Sequence, residues 1–342
     1  MRRHSALRRT SSWAMLLGAA LACSFPGATT TVDLDAAATQ TLQALATIAA
    51  GTLGAGATPI PPASETPAPP ASPTATATVV HLVRPDSPGA VAGFVIDSSS
   101  SPLASQRRAI ADSFNTNVLE RPFTSQAMDY QPYLDLTRAE WSASGAWYYV
   151  TLEIEELPPA RAMAAYAVEL DLDLDGRGDW LIFAAAPPTT DWTTDGVRAL
   201  EDTNNDVGGP TVLRPDPPSQ QRDGYDRLVF DSGKGSDPDA AWVRLSPTGV
   251  GRIEIAFKSS LVGGDNNLIW GVWSDGGPQT PGRFDYHDDF TLGEAGSPLS
   301  NSSDYPLKAL ASVDSACRWV FGFVSNGTEP GVCKPPPTPT PT

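Results

Sequence analysis

Acidic side chains alternate along one stretch of the chain, YAVELDLDLDGRGDWLI, which covers Tyr166–Ile182. Asp171, Asp173 and Asp175 are spaced two residues apart, and Asp179 follows after a glycine-containing turn. Carboxylate oxygens suit Ca²⁺, because this ion takes six to eight oxygen ligands at about 2.3–2.6 Å. The residue types and their spacing therefore predict a calcium-binding loop at these four aspartates.

This interpretation requires the backbone to curl between the aspartates. Alternate residues of a flat strand lie about 6.8 Å apart, which is too far for neighbouring carboxylates to share one ion easily. Gly176 and Gly178 permit the tight turn that would bring them together. The alternative is an ordinary hairpin whose acidic face is solvated.

The string D-L-D-L-D-G also agrees with the start of an EF-hand loop, including the glycine in sixth place. Ile182 stands at the last position of that loop, where an EF-hand has a bidentate glutamate. No helical pattern flanks the string. The sequence therefore favours a calcium loop between two strands over an EF-hand.

A second acidic loop repeats the same oxygen spacing further along the chain. Asp202, Asn204 and Asp206 follow a predicted strand, although Val207 stands where the first loop has a glycine. These residues predict a second calcium site, or a loop that faces the first one. Equally, Asn and Asp are good turn formers without any metal.

Tryptophan side chains offer a different kind of site, because aromatic faces can stack on sugar rings. Trp192 lies in the polar segment APPTTDWTTDG between the two acidic loops, and Trp180 adjoins the first loop. We predict these two as ligand-binding residues, with a polysaccharide as the ligand. The alternative for each is burial, which is the commoner use of a large aromatic side chain.

No residue of the sequence is singled out as catalytic. There is no G-x-S-x-G nucleophile elbow for a serine hydrolase. Glycoside hydrolysis needs two paired carboxylates, and the strand glutamates Glu153, Glu155, Glu169 and Glu254 do not define a pair.

The elements that position these residues are predicted to be strands. Most apolar segments between Val79 and Cys333 are five to eleven residues long and are bounded by Gly, Pro, Asn or Asp. The predicted strands are Tyr133–Trp141, Trp147–Leu157, Ala165–Leu174, Trp180–Ala185, Val197–Asp202, Asp226–Phe230, Ala241–Leu245, Arg252–Lys258 and Leu268–Trp273. Gln106–Phe114 is a candidate short helix. This pattern predicts an all-β fold, an antiparallel jelly-roll-like β-sandwich with a disordered N-terminal stalk.

The N-terminal sequence predicts export. Four arginines precede a short apolar segment, Trp13–Ala22, which is too short to span a bilayer and is typical of a signal peptide. Small residues precede Cys23, as in the lipobox of bacterial lipoproteins, whose cysteine is lipidated. This predicts a lipid anchor at the outer face of the bacterial cell membrane. The alternative is a cleaved signal that a cysteine happens to follow.

Composition divides the rest of the chain. We expect a signal peptide over residues 1–23, an Ala/Pro/Thr-rich stalk with a possible short helix over 24–78, a sandwich domain over 79–334 and a Pro/Thr tail over 335–342. The formal net charge of −16 argues against a nucleic-acid partner, which requires a basic surface. Cys317 and Cys333 form an even pair and are predicted to close a disulfide.

The strand segments ERPF, YQPYLDLTRAEW, WYYVTLEIEEL, YAVELDLDLDGRGDWLI and GRIEIAFKSSL together resemble the strand order of DOMON-like sandwiches. These share a fold with family-9 carbohydrate-binding modules. The resemblance covers about Glu120–Gly277 and implies a sandwich that binds a sugar, a haem or only calcium. The leading hypothesis is a lipid-anchored, calcium-stabilised, non-catalytic module for carbohydrate. The alternatives are a structural or protein-interaction lipoprotein and, third, a glycoside hydrolase.

Overall fold

The computed structural model of the protein describes residues 79–159, 162–207, 224–277 and 290–333. The predicted signal peptide with Cys23, the stalk of residues 24–78 and the tail of residues 335–342 lie outside these ranges. Within them, no helix has the length and apolar character needed to cross a bilayer.

Fourteen strands are described, together with a few single helical turns. The strands are β1 Val91–Ile96, β2 Glu120–Arg121, β3 Leu136–Ser144, β4 Trp147–Ile154, β5 Ala165–Asp171, β6 Trp180–Ala185, β7 Val197–Glu201, β8 Arg227–Asp231, β9 Lys234–Gly235, β10 Ala241–Leu245, β11 Arg252–Lys258, β12 Leu268–Asp275, β13 Val313–Ser315 and β14 Trp319–Phe321. The helical turns are the 3₁₀ segments Ser101–Gln106, Phe114–Thr116 and Ser259–Val262, and the α-helical turn α1, Leu292–Ala295.

The strands form two sheets in which every pairing is antiparallel. One sheet has the order β1-β3-β4-β11-β10. The other has the order β2-β13-β12-β5-β6-β7-β8-β9, and β14 pairs with β12 on the same edge as β13. The chain changes sheet after β1, β2, β4, β9 and β11, and the neighbours β4 and β11 continue into the neighbours β5 and β12. The predicted all-β, antiparallel, jelly-roll-like sandwich is confirmed.

The main core fills the space between the two sheets. The five-stranded sheet contributes Trp141, Val150 and Ile255, and the larger sheet contributes Val168 and Trp270, all essentially without solvent exposure. The indole rings of Trp141 and Trp270 lie 5.6 Å apart between centroids. Side chains at every second position of the strands face inward, which is the alternation that the sequence pattern predicts.

The outer face of the larger sheet is also covered. Ala167, Leu181 and Leu200 point away from the main core and pack against Tyr225 and Leu310 in a second apolar cluster. Strand β5 is consequently buried along its whole length. This is why its alternating polar residues do not form a solvated face.

The sequence placed most of the long strands correctly. Strands β6, β10 and β11 begin and end at the predicted residues, and β3, β4, β5, β7, β8 and β12 overlap their predicted segments. The helix predicted over Gln106–Phe114 is wrong, because only single 3₁₀ turns lie on either side of most of that segment. Strands β1, β9, β13 and β14 were missed, and three of these four are only two or three residues long, while β2 lies in the segment ERPF that the resemblance includes.

The predicted disulfide is confirmed. Cys317 and Cys333 are bonded, with their Cα atoms 5.2 Å apart and a separation of 16 positions in sequence. Their backbone segments are also hydrogen-bonded through Arg318, whose N–H donates to Gly331 and whose carbonyl accepts from Cys333. The bridge thus closes a C-terminal loop beside β14, the disulfide loop Cys317–Cys333, in which Arg318 and Val332 form a parallel bridge. A loop of this length contributes about 3 kcal/mol in the loop-entropy model.

The packing of the main core predicts a large loss of stability on truncation of Phe257. This ring is fully buried and lies 5.8 Å from the rings of both Trp141 and Tyr148. Phe257→Ala should lower the free energy of unfolding by about 3–5 kcal/mol in urea titrations, because it leaves a cavity. Val250→Ala, at a side chain that is 93% exposed, is the control and should change it by no more than about 0.5 kcal/mol.

Candidate metal centre

The first acidic loop is the turn between β5 and β6. The hairpin ends at the pair Leu170–Trp180, and the N–H of Asp179 still donates to the carbonyl of Leu170 at 2.8 Å. Between them the backbone leaves the extended conformation, with φ of +65° at Leu174 and +98° at Gly176. The predicted curl is therefore present.

The two glycines of the loop serve different purposes. Gly176 supplies the positive φ that other residues adopt at a cost. Gly178 supplies space, because a Cβ atom there would lie 2.1 Å from the hydroxyl oxygen of Tyr225. Tyr225 belongs to the outer apolar cluster, so this close approach packs the loop against the covered face of the sheet.

Two aspartates hold the loop backbone in place. Asp171 accepts hydrogen bonds from the N–H groups of Leu174 at 2.7 Å and Gly176 at 3.0 Å. Asp179 accepts from the N–H of Leu172 at 2.5 Å. The loop is therefore closed from both ends by carboxylates that also point toward its centre.

Three of the four predicted ligands converge. One carboxylate oxygen from each of Asp171, Asp173 and Asp179 lies within 4.8 Å of the other two. Two oxygens on opposite sides of one ion lie at most twice the metal–oxygen distance apart, which is about 5 Å for Ca²⁺ and about 4 Å for Mg²⁺. The group could therefore hold a metal ion.

The fourth predicted ligand, Asp175, lies outside this group of three. Its carboxylate accepts from the N–H of Arg177 at 2.8 Å and from the side-chain amide of Asn205 at 2.9 Å. Asp175 thus connects the first acidic loop to the second instead of closing around the same centre.

The three converging aspartates differ in exposure. Asp171 is only 1% exposed, Asp179 is half-buried and Asp173 is exposed. Burial raises the pKa of Asp171 to about 7, although the nearby Arg318 guanidinium opposes this increase. A solvated acidic face, the alternative drawn from the sequence, does not describe Asp171.

The second acidic loop lies beside the first. Asp202 accepts from the N–H groups of Asn204, Asn205 and Val207, a pattern like that of Asp171 in the first loop. The N–H of Asp202 donates to the carbonyl of Asp179 at 2.9 Å. The two loops therefore face each other, while Asp202, Asn204 and Asp206 are not among the groups of converging metal-ligand atoms that the described residues contain.

An arginine from the disulfide loop Cys317–Cys333 lies under the first acidic loop. Arg318 forms an ion pair with Glu169 and donates a hydrogen bond to the carbonyl of Gly176 at 2.7 Å, and its guanidinium lies 4.0 Å from Asp171. Glu169 is buried, so its charge is compensated by Arg318 rather than by water. No local spacing in the sequence indicates this contact, because 149 positions separate Glu169 from Arg318.

The predicted ligand-binding tryptophans are both half-buried. Trp180 packs against the main core. The ring of Trp192 lies 4.2 Å from the guanidinium carbon of Arg244, its N–H donates to the carbonyl of Asp86, and it packs on Tyr149. Trp192 thus helps to cover the outer face of the five-stranded sheet and does not present a free aromatic platform.

An apolar groove that sequence reasoning missed lies elsewhere. It has a volume of about 1410 Å³ and runs between the edge strand β1 and the disulfide loop. All six residues of β1 line it, together with Trp319, Arg138 and Glu329. Phe94 is 46% exposed there, and its ring lies 4.2 Å from the guanidinium carbon of Arg138.

A second group of converging carboxylates was also missed. It consists of Asp97, Glu120 and Asp314, which lie on three segments that are far apart in sequence. No local spacing could have indicated it, because the three residues meet only when β2 pairs with β13.

Comparison with known proteins leaves the family open. No protein-family model, no curated protein and no solved structure matches the chain. The resemblance to DOMON-like and family-9 carbohydrate-binding sandwiches therefore stays a prediction.

The buried ion pair under the loop yields a test. Arg318→Met should lower the free energy of unfolding by about 3–5 kcal/mol, because it leaves the carboxylate of Glu169 buried and unpaired. Combining it with Glu169→Gln should recover part of that loss, as a double-mutant cycle by urea denaturation would reveal. A loss below about 1 kcal/mol for Arg318→Met alone would mean that the pair does not hold the loop.

Proposed function

We propose that the protein is a lipid-anchored, calcium-stabilised β-sandwich at the outer face of the cell membrane, acting as a non-catalytic binding module for carbohydrate. The observation that carries the binding function is the groove beside β1. The acidic loop supports the calcium, and the signal-like N-terminus with Cys23 supports the anchor.

The groove has the chemistry of a carbohydrate site. Trp319 places an aromatic ring along an otherwise aliphatic wall, while Arg138 lies over the ring of Phe94, and Arg138 and Glu329 provide charged groups that can bond to hydroxyls. Ligand sites combine a mostly apolar lining with a few polar groups in this way. The groove therefore replaces Trp192 and Trp180 as the surface on which we place the ligand.

Calcium at the first loop is supported by the hard oxygen donors of Asp171, Asp173 and Asp179, which lie close enough together to contact one ion. Bound there, the ion would join the end of β5 to the start of β6 and stiffen the turn. Arg318, which lies next to this position, belongs to the disulfide loop that forms one wall of the groove. The metal position is thereby connected to the groove.

Hydrolysis is less well supported, because the strand glutamates have other partners. Glu153 pairs with Arg252, Glu169 with Arg318 and Glu254 with Arg244. Carboxylates that are held by arginines are poor candidates for the proton transfers of glycoside cleavage, which require an acid and a base facing the substrate.

One observation favours protein interaction as a second candidate. Strand β1 is an edge strand of its sheet, and Val91, Phe94 and Ile96 are exposed along it. An exposed strand edge with apolar side chains can pair with an extended peptide. A peptide and a polysaccharide would then compete for the same groove.

Calcium binding at the loop is tested by thermal melting of the purified chain in EDTA and in excess CaCl₂. An ion that binds only the folded state adds about 2.7 kcal/mol at a hundred times its Kd. Asp173→Asn with Asp179→Asn should reduce the calcium-induced increase in Tm. Asp191→Asn, an exposed position outside the loop, is the control. An equal increase in Tm in the double variant and the control would exclude the loop as a calcium site.

Ligand binding in the groove is tested by affinity electrophoresis in gels that contain soluble or cell-wall polysaccharides. Retardation of the wild-type chain should be lost in Phe94→Ala with Trp319→Ala, because the aromatic faces are removed. Trp192→Ala and Val324→Ala, two positions outside the groove, should be retarded normally. No retardation of the wild type by any polysaccharide, with binding of extended peptides instead, would favour the protein-interaction candidate.

A further inference from the structure

A cluster of buried acids lies at the edge where the two sheets meet. Glu120 of β2 stands directly opposite Asp314 of β13 in the antiparallel pairing. Asp97 follows the end of β1, and Asp135 immediately precedes β3. Glu120 is 1% exposed, Asp135 and Asp314 have no exposure, and Asp97 is half-buried. These four residues are named here the edge cluster.

Such an arrangement is unfavourable without a cation. Like charges directly opposite each other on paired strands repel, and burial removes the water that would screen them. Some other buried acids of the domain have guanidinium partners, as Asp112 has in Arg121 and Glu254 has in Arg244. Within the described part of the chain, no ion pair involves a member of the edge cluster.

Several carboxylate oxygens of the cluster lack any partner. Asp314 Oδ1, Asp135 Oδ1 and Asp97 Oδ2 are buried and accept no hydrogen bond from the described residues. The second oxygens of the same side chains are used, since Asp314 Oδ2 accepts from the N–H of Leu136 at 2.7 Å and Asp135 Oδ2 from the hydroxyl of Tyr130 at 2.6 Å. The side chains are therefore fixed in direction, with one oxygen each left over.

The free oxygens belong to a group of suitable size. One oxygen from each of Asp97, Glu120 and Asp314 lies within 4.8 Å of the other two, close enough for one cation to contact all three, and Asp135 stands beside this group of three. Ser100 adds a buried hydroxyl that donates to Glu120 at 2.5 Å, and its N–H donates to Asp135 at 2.9 Å. Four carboxylates, one hydroxyl and water could supply the six to eight oxygens that Ca²⁺ takes.

We propose that the edge cluster is a closed structural site for a divalent cation of the calcium type, with Asp97, Glu120, Asp135 and Asp314 as its carboxylate ligands. The ion would tie β1 and β3 of one sheet to β2 and β13 of the other. It would thus join the first segments of the domain to the last. The site is separate from the acidic loop of the proposed function and does not depend on it.

Burial determines the titration of the carboxyl groups in the cluster. Burial first, and then the charges of Asp97 and Asp135, raise the pKa of Glu120 to about 10. Burial is also the main cause that raises the pKa of Asp97 to about 8. The ionised forms are therefore strongly disfavoured by the protein alone, and a divalent cation would supply the missing positive charge.

Titration calorimetry with CaCl₂ on the full chain, stripped of metal by EDTA and dialysed, tests the proposal. All variants carry Asp173→Asn and Asp179→Asn, so that heat from the first loop is removed. This background should still bind calcium. Adding Glu120→Gln or Asp314→Asn should weaken that binding at least tenfold, since even indirect contacts to a metal are worth ten- to a hundredfold in affinity. Asp129→Asn, an exposed acid near the cluster in sequence, should leave it unchanged.

Thermal melts of the same variants keep the test decisive if a substitution disturbs folding. In EDTA, Glu120→Gln should change Tm little, because the raised pKa of Glu120, about 10, keeps its carboxyl group neutral without metal, while calcium should no longer increase Tm. Calcium should still raise the Tm of the background variant and of Asp129→Asn. The proposal is overturned if calcium neither binds to the background variant nor raises its Tm. It is equally overturned if folded Glu120→Gln binds calcium as tightly as the control.

Discussion

A carboxylate that is removed from water needs a positive charge or a proton, and much of this molecule is arranged around that requirement. The chain is acidic, and its second apolar cluster buries the outer face of a sheet that carries acids as well as leucines. Three buried carboxylates on different segments are matched by arginines, in the pairs Asp112–Arg121, Glu169–Arg318 and Glu254–Arg244. Breaking such a pair is costly because the remaining charge stays buried.

The two carboxylate groups without a full complement of arginines differ in their access to solvent. At the first loop, Asp173 is exposed and Arg318 already compensates part of the charge, so an ion there would exchange readily with the medium. At the edge cluster, Glu120 and Asp314 are enclosed by the pairing of β2 with β13. An ion held there would be part of the fold. The proposed module would thus combine one open and one closed cation site.

The disulfide loop connects the first acidic loop to the groove. Arg318 extends from it to the acidic loop, and Trp319, next in sequence, lines the groove opposite β1. Gly93 of β1 is required by this approach, since a Cβ atom there would lie 3.1 Å from the ring of Trp319. The geometry of the binding surface therefore depends on how firmly the disulfide loop is held.

A feature of this fold could be predicted from the sequence when its interactions join residues that are close along the chain. The strands from β3 to β12 that exceed four residues have apolar periodicity and turn residues in adjacent sequence, and the curl of the first loop follows from neighbouring Asp and Gly residues. Strand β1 escaped notice because Gly93 interrupts its pattern, and β2 and β13 are too short to show any period. The edge cluster unites positions 97, 120, 135 and 314, a pairing that only the tertiary fold creates. Trp192 was expected to be exposed because its neighbours are polar, but Arg244 and Tyr149 come from other strands to cover it.

The central claim is that cations complete both groups of unmatched carboxylates. The most direct measurement is the anomalous difference map of a crystal of the protein grown with Ca²⁺ and then exchanged with a heavier, calcium-like lanthanide. The account predicts one peak among Asp171, Asp173 and Asp179, and another enclosed by Glu120 and Asp314. A map without peaks at either position, from crystals that diffract well enough to reveal the lanthanide elsewhere, would contradict it.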